Sequence, residues 1–150
     1  MQEDLYTPSL VDGEGRKTKS YNISNLFFVA FFGGVVAVAM LGMRNAKWLQ
    51  LEEKYIRILT VISISLLLFK LAIVYAVTHQ LIDVEGSTSR FISRVIGLLC
   101  FAVFYLFLKR PFKEHLLLHG ETEPLLKQGI LWVLLAALIE GVLVVSISVL

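Results

Sequence analysis

Two charges stand inside stretches otherwise fit for lipid. Lys70 lies within "LTVISISLLLFKLAIVYAVTH", residues 59–79, and Glu140 within "LLAALIEGVLVV", residues 134–145. Each charge would cost about 2.5–3.5 kcal/mol at the centre of a membrane helix on insertion scales. Lys70 is eight residues from Thr78, or roughly 12 Å along a helix. Glu140 is ten residues from Leu150, or roughly 15 Å. Antiparallel helices would bring those ends to one membrane face, so the two charges fall at similar depth. The expectation is an ion pair or hydrogen-bonded contact between them. Two other outcomes stay open: a snorkelling Lys70 with a protonated Glu140 facing a partner, or a proton- or ion-handling site.

The neighbouring residues suit a buried location. Ser63 and Lys70 are seven apart and share a helix face with Thr60 nearby. Ala136, Ala137 and Gly141 flank Glu140 and would let another helix approach. In the first apolar run, Ala30 with Gly34 and Gly33 with Ala37 form small-xxx-small pairs, used for close helix packing. Whether the partner is intramolecular or another protomer is left open.

Other reactive types give weaker patterns. His115 and His119 are four apart and could chelate a metal if both lay on one helix face. Gly120 is expected to end any such helix, and no third ligand follows at suitable spacing. A solvated or headgroup-facing loop is therefore expected, with no metal and no cofactor. Cys100 is the single cysteine and lies in an apolar run, where it reads as a small packing residue. No Gly-x-Ser-x-Gly, P-loop, His-Glu-x-x-His or Cys-x-x-Cys occurs, so an enzyme is not expected.

The elements that must position these residues are helices. Apolar residues make up 57% of the 150, above the ~45–50% of ordinary soluble domains. They gather in four runs: residues 23–43, 56–77, 91–108 and 130–150. About 20 residues at 1.5 Å each span a ~30 Å hydrocarbon layer. Barrel strands would alternate and these runs do not. The fold class expected is all-α membrane: a four-transmembrane-helix, up-down bundle behind a polar N-terminal tail, residues 1–22. The tail has no apolar period and is expected to be mobile or loosely docked. The first run is read as a retained helix, not a cleaved signal.

A net charge of +2 is too small to suggest nucleic acid. Four crossings would put the tail, the 79–90 loop and the C-terminus on one side. Loops 44–57 and 109–127 would face the other. Lys and Arg number eight on that second side against five on the first, which favours loops 44–57 and 109–127 as cytoplasmic.

The stretch "YNISNLFFVAFFGGVVAVAMLGMRNAKWL" carries Tyr21, Val29-Ala30, Phe32, Gly33-Gly34, Ala37, Leu41, Asn45 and Leu49. This pattern resembles the opening of a group of small uncharacterised bacterial multi-span membrane proteins. His119, Gly120 and Trp132 loosely resemble the same group's last-span approach. Pro is absent after Gly34, and Glu121 stands where a second Gly would be. The resemblance implies the bacterial inner membrane and no particular activity.

The function expected is that of an accessory or interaction protein acting through helix packing. Its partners would be the bilayer and other membrane proteins, or a second copy. The alternative is a small transporter or channel-like oligomer with Lys70 and Glu140 in a polar path. A hydrated cavity reaching Lys70 would favour the alternative; a dry, satisfied pair would favour the first.

Overall fold

The computed structural model describes residues 19–149. In chain order the elements are strand β1 (Lys19–Tyr21), a short 3-10 turn (Ile23–Asn25), α1 (Leu26–Trp48), α2 (Glu53–Thr78), α3 (Gly86–Leu117), β2 (Glu121–Glu123) and α4 (Leu126–Val149). All four α-helices are long and apolar enough to cross a membrane. The chain is thus an all-α, four-helix protein of the multi-pass membrane type. The body of the tail, residues 1–18, lies outside the described residues.

α1, α2 and α3 each stop in the same way. A residue in left-handed conformation follows two positions after the last helical one: Gln50, Gln80 and His119. Its N–H, and the next one, reach back to carbonyls of the last turn, as in Leu51 to Ala46 at 3.0 Å and Gly120 to His115 at 3.0 Å. These bonds satisfy carbonyls that a helix end otherwise leaves unpaired.

α1 does not run straight. Gly34 has φ 65° and ψ −156°, a conformation outside the helix and essentially reserved for glycine. The chain reverses there. Val29 packs against Gly129, while Arg44 Nη1 donates to Gln128 Oε1 at 2.7 Å. A continuous helix would hold Val29 and Arg44 about 22 Å apart, yet they meet adjacent residues of α4. The first half of α1, residues 26–33, therefore descends along α4. The second half, residues 35–48, climbs back to the face where it began.

That face is tied together by polar contacts. β1 pairs in parallel with β2, Lys19 opposite Glu121 and Tyr21 opposite Glu123. Lys19 Nζ bonds Glu123 Oε1 at 3.0 Å, and this contact raises the Lys19 ammonium above its ordinary pKa. Buried Asn45 closes the hairpin: its Oδ1 accepts from Tyr21 N–H at 2.8 Å and from Ser20 Oγ at 3.0 Å. The Tyr21 ring lies tilted against Trp48, with centroids 4.8 Å apart, and burial pushes its hydroxyl pKa up. Asn45→Ala would leave the buried Tyr21 N–H without its acceptor. A loss of about 1–3 kcal/mol is expected, read as a lower unfolding temperature of the purified protein.

Three expectations need correction. The end of the tail shares a face with residues 49–52 and 118–125, and not with the 79–85 loop, because α1 folds back. Ser20 and Tyr21 are fully buried, so that end is docked firmly. The third helix runs on through Pro111 to Leu117, so the first part of the supposed 109–127 loop is helical. An Arg110–Glu114 pair at 3.4 Å, four residues apart, lies on this extension. The other spans fall close to their expected limits: α2 extends a few residues beyond 56–77, and α4 begins at Leu126 instead of 130.

Candidate functional site

Near the tip of the α1 hairpin the membrane charges meet. Lys70 Nζ donates to Glu140 Oε2. Their side chains are 11% and 18% exposed, so the pair is mostly withdrawn from solvent. A Cβ on Gly34 would lie 3.0 Å from Glu140 Oε1 and 3.3 Å from Lys70 Nζ. The pair thus rests against the bare backbone of the reversal.

The helix break supplies matching electrostatics. The first half of α1 ends at the tip with its carbonyl, negative end. The second half begins there with its N–H, positive end. An ammonium and a carboxylate side by side complement both, a contribution of about 0.3–1 kcal/mol for each favourable helix end. Glu140 Oε1 is buried and has no hydrogen-bond partner among the described residues, so the carboxylate retains accepting capacity.

The third wall comes from α3. Gly97 is buried against the tip; a Cβ there would fall 2.9 Å from the Ala30 carbonyl oxygen and 3.2 Å from Gly34 Cα. One to two turns before it, α3 contributes Ser89, Arg90, Ser93 and Arg94. With Gly33, Gly34, Lys70, Ala137 and Glu140 they line a cavity of about 340 Å³. Its inner end is the ion pair and the broken helix. Its outer end is the first turns of α3, on the side of the 79–85 loop. The Arg94 guanidinium lies 5.2 Å from the Phe31 ring centroid, a cation–π contact that fixes its position.

The other residues singled out in the sequence fall in different places. Ala30, Ala37 and Ala136 are fully buried and serve packing. Gly33 is in contact range of Ala37 and Val133. Ala137 lines the cavity, whereas a Cβ on Gly141 would have nothing within 4 Å among the described residues, so no helix of this chain packs on it. Thr60 and Ser63 donate to the carbonyls of Ile56 and Leu59, at 2.8 and 2.7 Å. Their hydroxyls are thus engaged within α2 and do not line the cavity. His115 is buried, its Nε2 3.1 Å from the Glu121 carbonyl oxygen. His119 is exposed beyond the end of α3, so the two share no helix face. Cys100 is fully buried.

Compared with family models, curated proteins and solved structures, the chain has no match in any of the three.

A second hollow, about 470 Å³, lies between the first half of α1 and α4 and is lined by Phe28, Phe32, Leu126, Ile130 and Leu134 among others. Its walls are almost wholly apolar and offer no reactive group. Ser89, Arg90, Ser93 and Arg94 do not stand out in the sequence, where an arginine near a helix end is ordinarily explained by snorkelling. The available signal was the repeat Ser-Arg-Phe-Ile-Ser-Arg, residues 89–94. Its spacing of four puts both arginines on one helix face.

Proposed function

We propose that this chain is a small transport-type membrane protein that admits a polar solute or ion into a cavity closed by Lys70 and Glu140. The supporting observation is the cavity itself, which reaches the ion pair from one membrane face. A protein needing only a satisfied structural pair has no use for such an approach. Broken helices whose ends meet at membrane depth are a recurring device for holding polar ligands away from water. The role of each part follows. Gly34 opens the backbone, Lys70 and Glu140 present paired charges, and α3 supplies a polar wall.

The fold-back also sharpens orientation. Lys19, Arg44, Lys47, Lys54, Arg57, Lys109, Arg110, Lys113 and Lys127 gather toward the β1–β2 face. Arg90 and Arg94 belong to the opposite end. Under the positive-inside rule the β1–β2 face is cytoplasmic, and the cavity opens outward. The first-span resemblance implies a bacterial inner membrane as the setting.

An accessory role through helix packing remains the second reading, and one observation favours it. The most apolar windows of α2 and α4 are only 11% and 6% buried within the chain. Lipid or neighbouring helices must cover them.

Single-cysteine labelling in intact cells tests both cavity and orientation, since native Cys100 is fully buried. Ala137→Cys and Ser87→Cys are expected to react with a membrane-impermeant, water-soluble maleimide added outside. Glu52→Cys is expected to react only after the membrane is opened. An Ala137→Cys thiol that stays unreactive on both sides of the membrane would remove the solvated cavity and restore the accessory reading.

A further inference from the structure

We infer that the cavity is an oxyanion site, built for a phosphate-type group held by Arg90 and Arg94. This rests on the solvated cavity proposed above and adds the chemistry of what enters it. The placement of the two arginines is unusual. Positive side chains concentrate at the β1–β2 face, where the positive-inside rule wants them. Arg90 and Arg94 stand at the other end, against that rule. Both line the same cavity, so the exception is focused on one spot.

The cavity carries an excess of positive charge. The cavity walls carry Lys70, Arg90 and Arg94 against Glu140 alone. Glu140 is engaged by Lys70. Among the described residues neither arginine is ion-paired with a carboxylate. The site is left with two uncompensated guanidinium groups, and an anion is the natural complement.

The donors also suit an oxyanion. Guanidinium forks bind phosphate and carboxylate oxygens through paired N–H groups. Ser89 and Ser93 precede the two arginines and line the same cavity. Each hydroxyl is a further donor. Two Ser-Arg pairs one turn apart, four donor side chains in all, suit a tetrahedral anion with several oxygens. At about 340 Å³ the space falls within the ~300–1,000 Å³ range of small-molecule sites, so more than a bare ion fits. The same phosphate chemistry can arrive as a free anion or on a lipid headgroup.

Cys100 supplies the readout. It is the single thiol and fully buried, so a thiol-reactive dye reports unfolding of the purified full-length chain on heating. Inorganic phosphate is one probe and dihexanoyl phosphatidic acid the other, each against chloride at equal ionic strength. A ligand that binds only the folded state raises the unfolding temperature. An upward shift of a few degrees is expected with at least one probe. A shift with both marks a free phosphate site; a shift with the lipid alone marks a headgroup site. Arg90→Gln with Arg94→Gln is expected to abolish it, and Lys113→Gln, on the opposite face, to leave it. Arg90 is exposed and makes no ion pair among the described residues, so Arg90→Gln alone carries the test if the double variant does not fold, with the shift at least halved. No shift with either probe, or a shift unchanged in the arginine variants, overturns the inference. If Ala137→Cys is labelled from water while neither probe binds, the oxyanion site fails and the solvated cavity stands. If Ala137→Cys is unreactive as well, both fail.

Discussion

Glu140→Ala is expected to be among the most damaging single changes in the chain. It strips the counter-charge from Lys70, whose side chain is only 11% exposed. Removing one partner of a buried pair costs about 3–5 kcal/mol, because the survivor is left charged and uncompensated. The Lys70 side chain keeps a small exposed fraction beside the cavity, so the lower end of that range applies. Lys70→Ala should do comparable harm from the other side. The double variant removes both charges and should lose less than the two singles summed, by about 1–3 kcal/mol. Unfolding temperature and folded yield from membranes measure the cycle. Additive losses would mean that the two groups are independent, and the site at the hairpin tip would lose its centre. Glu140→Gln keeps an acceptor but not the charge, and should fall between wild type and Glu140→Ala.

The pair was legible for a simple reason. A charge in an apolar run is conspicuous, and helix rise converts sequence position into depth. Two such charges at matching depth point at each other before any coordinates exist. Helix content was legible on the same physical ground, since runs of this length can satisfy their backbone in lipid only as helices. The reversal at Gly34 was not. Residues 23–43 are apolar enough to cross outright, and a Gly-Gly pair reads equally well as a packing surface. What bends the chain back is tertiary: β1 with β2, Asn45 with Tyr21, Arg44 with Gln128. Those partners are separated by between 24 and about 100 residues, and three-residue strands carry no readable alternation.

Two smaller misreadings have physical causes as well. α4 is apolar almost all round, so its pattern does not say which side faces inward. Gly141 therefore reads as a packing position, yet no helix of this chain meets it. Pro111 and the charged run around it suggested a loop after residue 108. α3 instead continues out of the apolar zone, where Arg110 and Glu114 pair along its surface. The Ser-Arg repeat was in plain view, but an arginine near a helix end has an ordinary explanation in snorkelling. Only the fold-back of α1 brings a cavity against it.

Gly34→Ala tests that fold-back most directly, because two conformations of α1 predict opposite signs. In a continuous helix, alanine for glycine stabilises by roughly 0.5–1 kcal/mol. Gly141→Ala is the reference for this, since Gly141 is helical, exposed and has nothing within 4 Å of a Cβ. At Gly34 the backbone sits at φ 65° and ψ −156°, where a residue with a Cβ is strained by about 1–3 kcal/mol. The added methyl would also lie 3.0 Å from Glu140 Oε1 and 3.3 Å from Lys70 Nζ. The two side-chain ends must shift, which loosens the ion pair as well as the turn. Gly34→Ala is therefore expected to lower the unfolding temperature while Gly141→Ala leaves it level or raises it. Gly34→Val, with two further methyls at the same point, should be worse than Gly34→Ala. The loss at Gly34 should shrink in the Lys70→Ala/Glu140→Ala background, where the space beside the turn is empty, leaving only the backbone strain. A Gly34→Ala protein as stable as Gly141→Ala would mean that α1 crosses as one helix. The tail would then belong with the 79–85 loop, and the cavity between the hairpin tip and α3 would not exist.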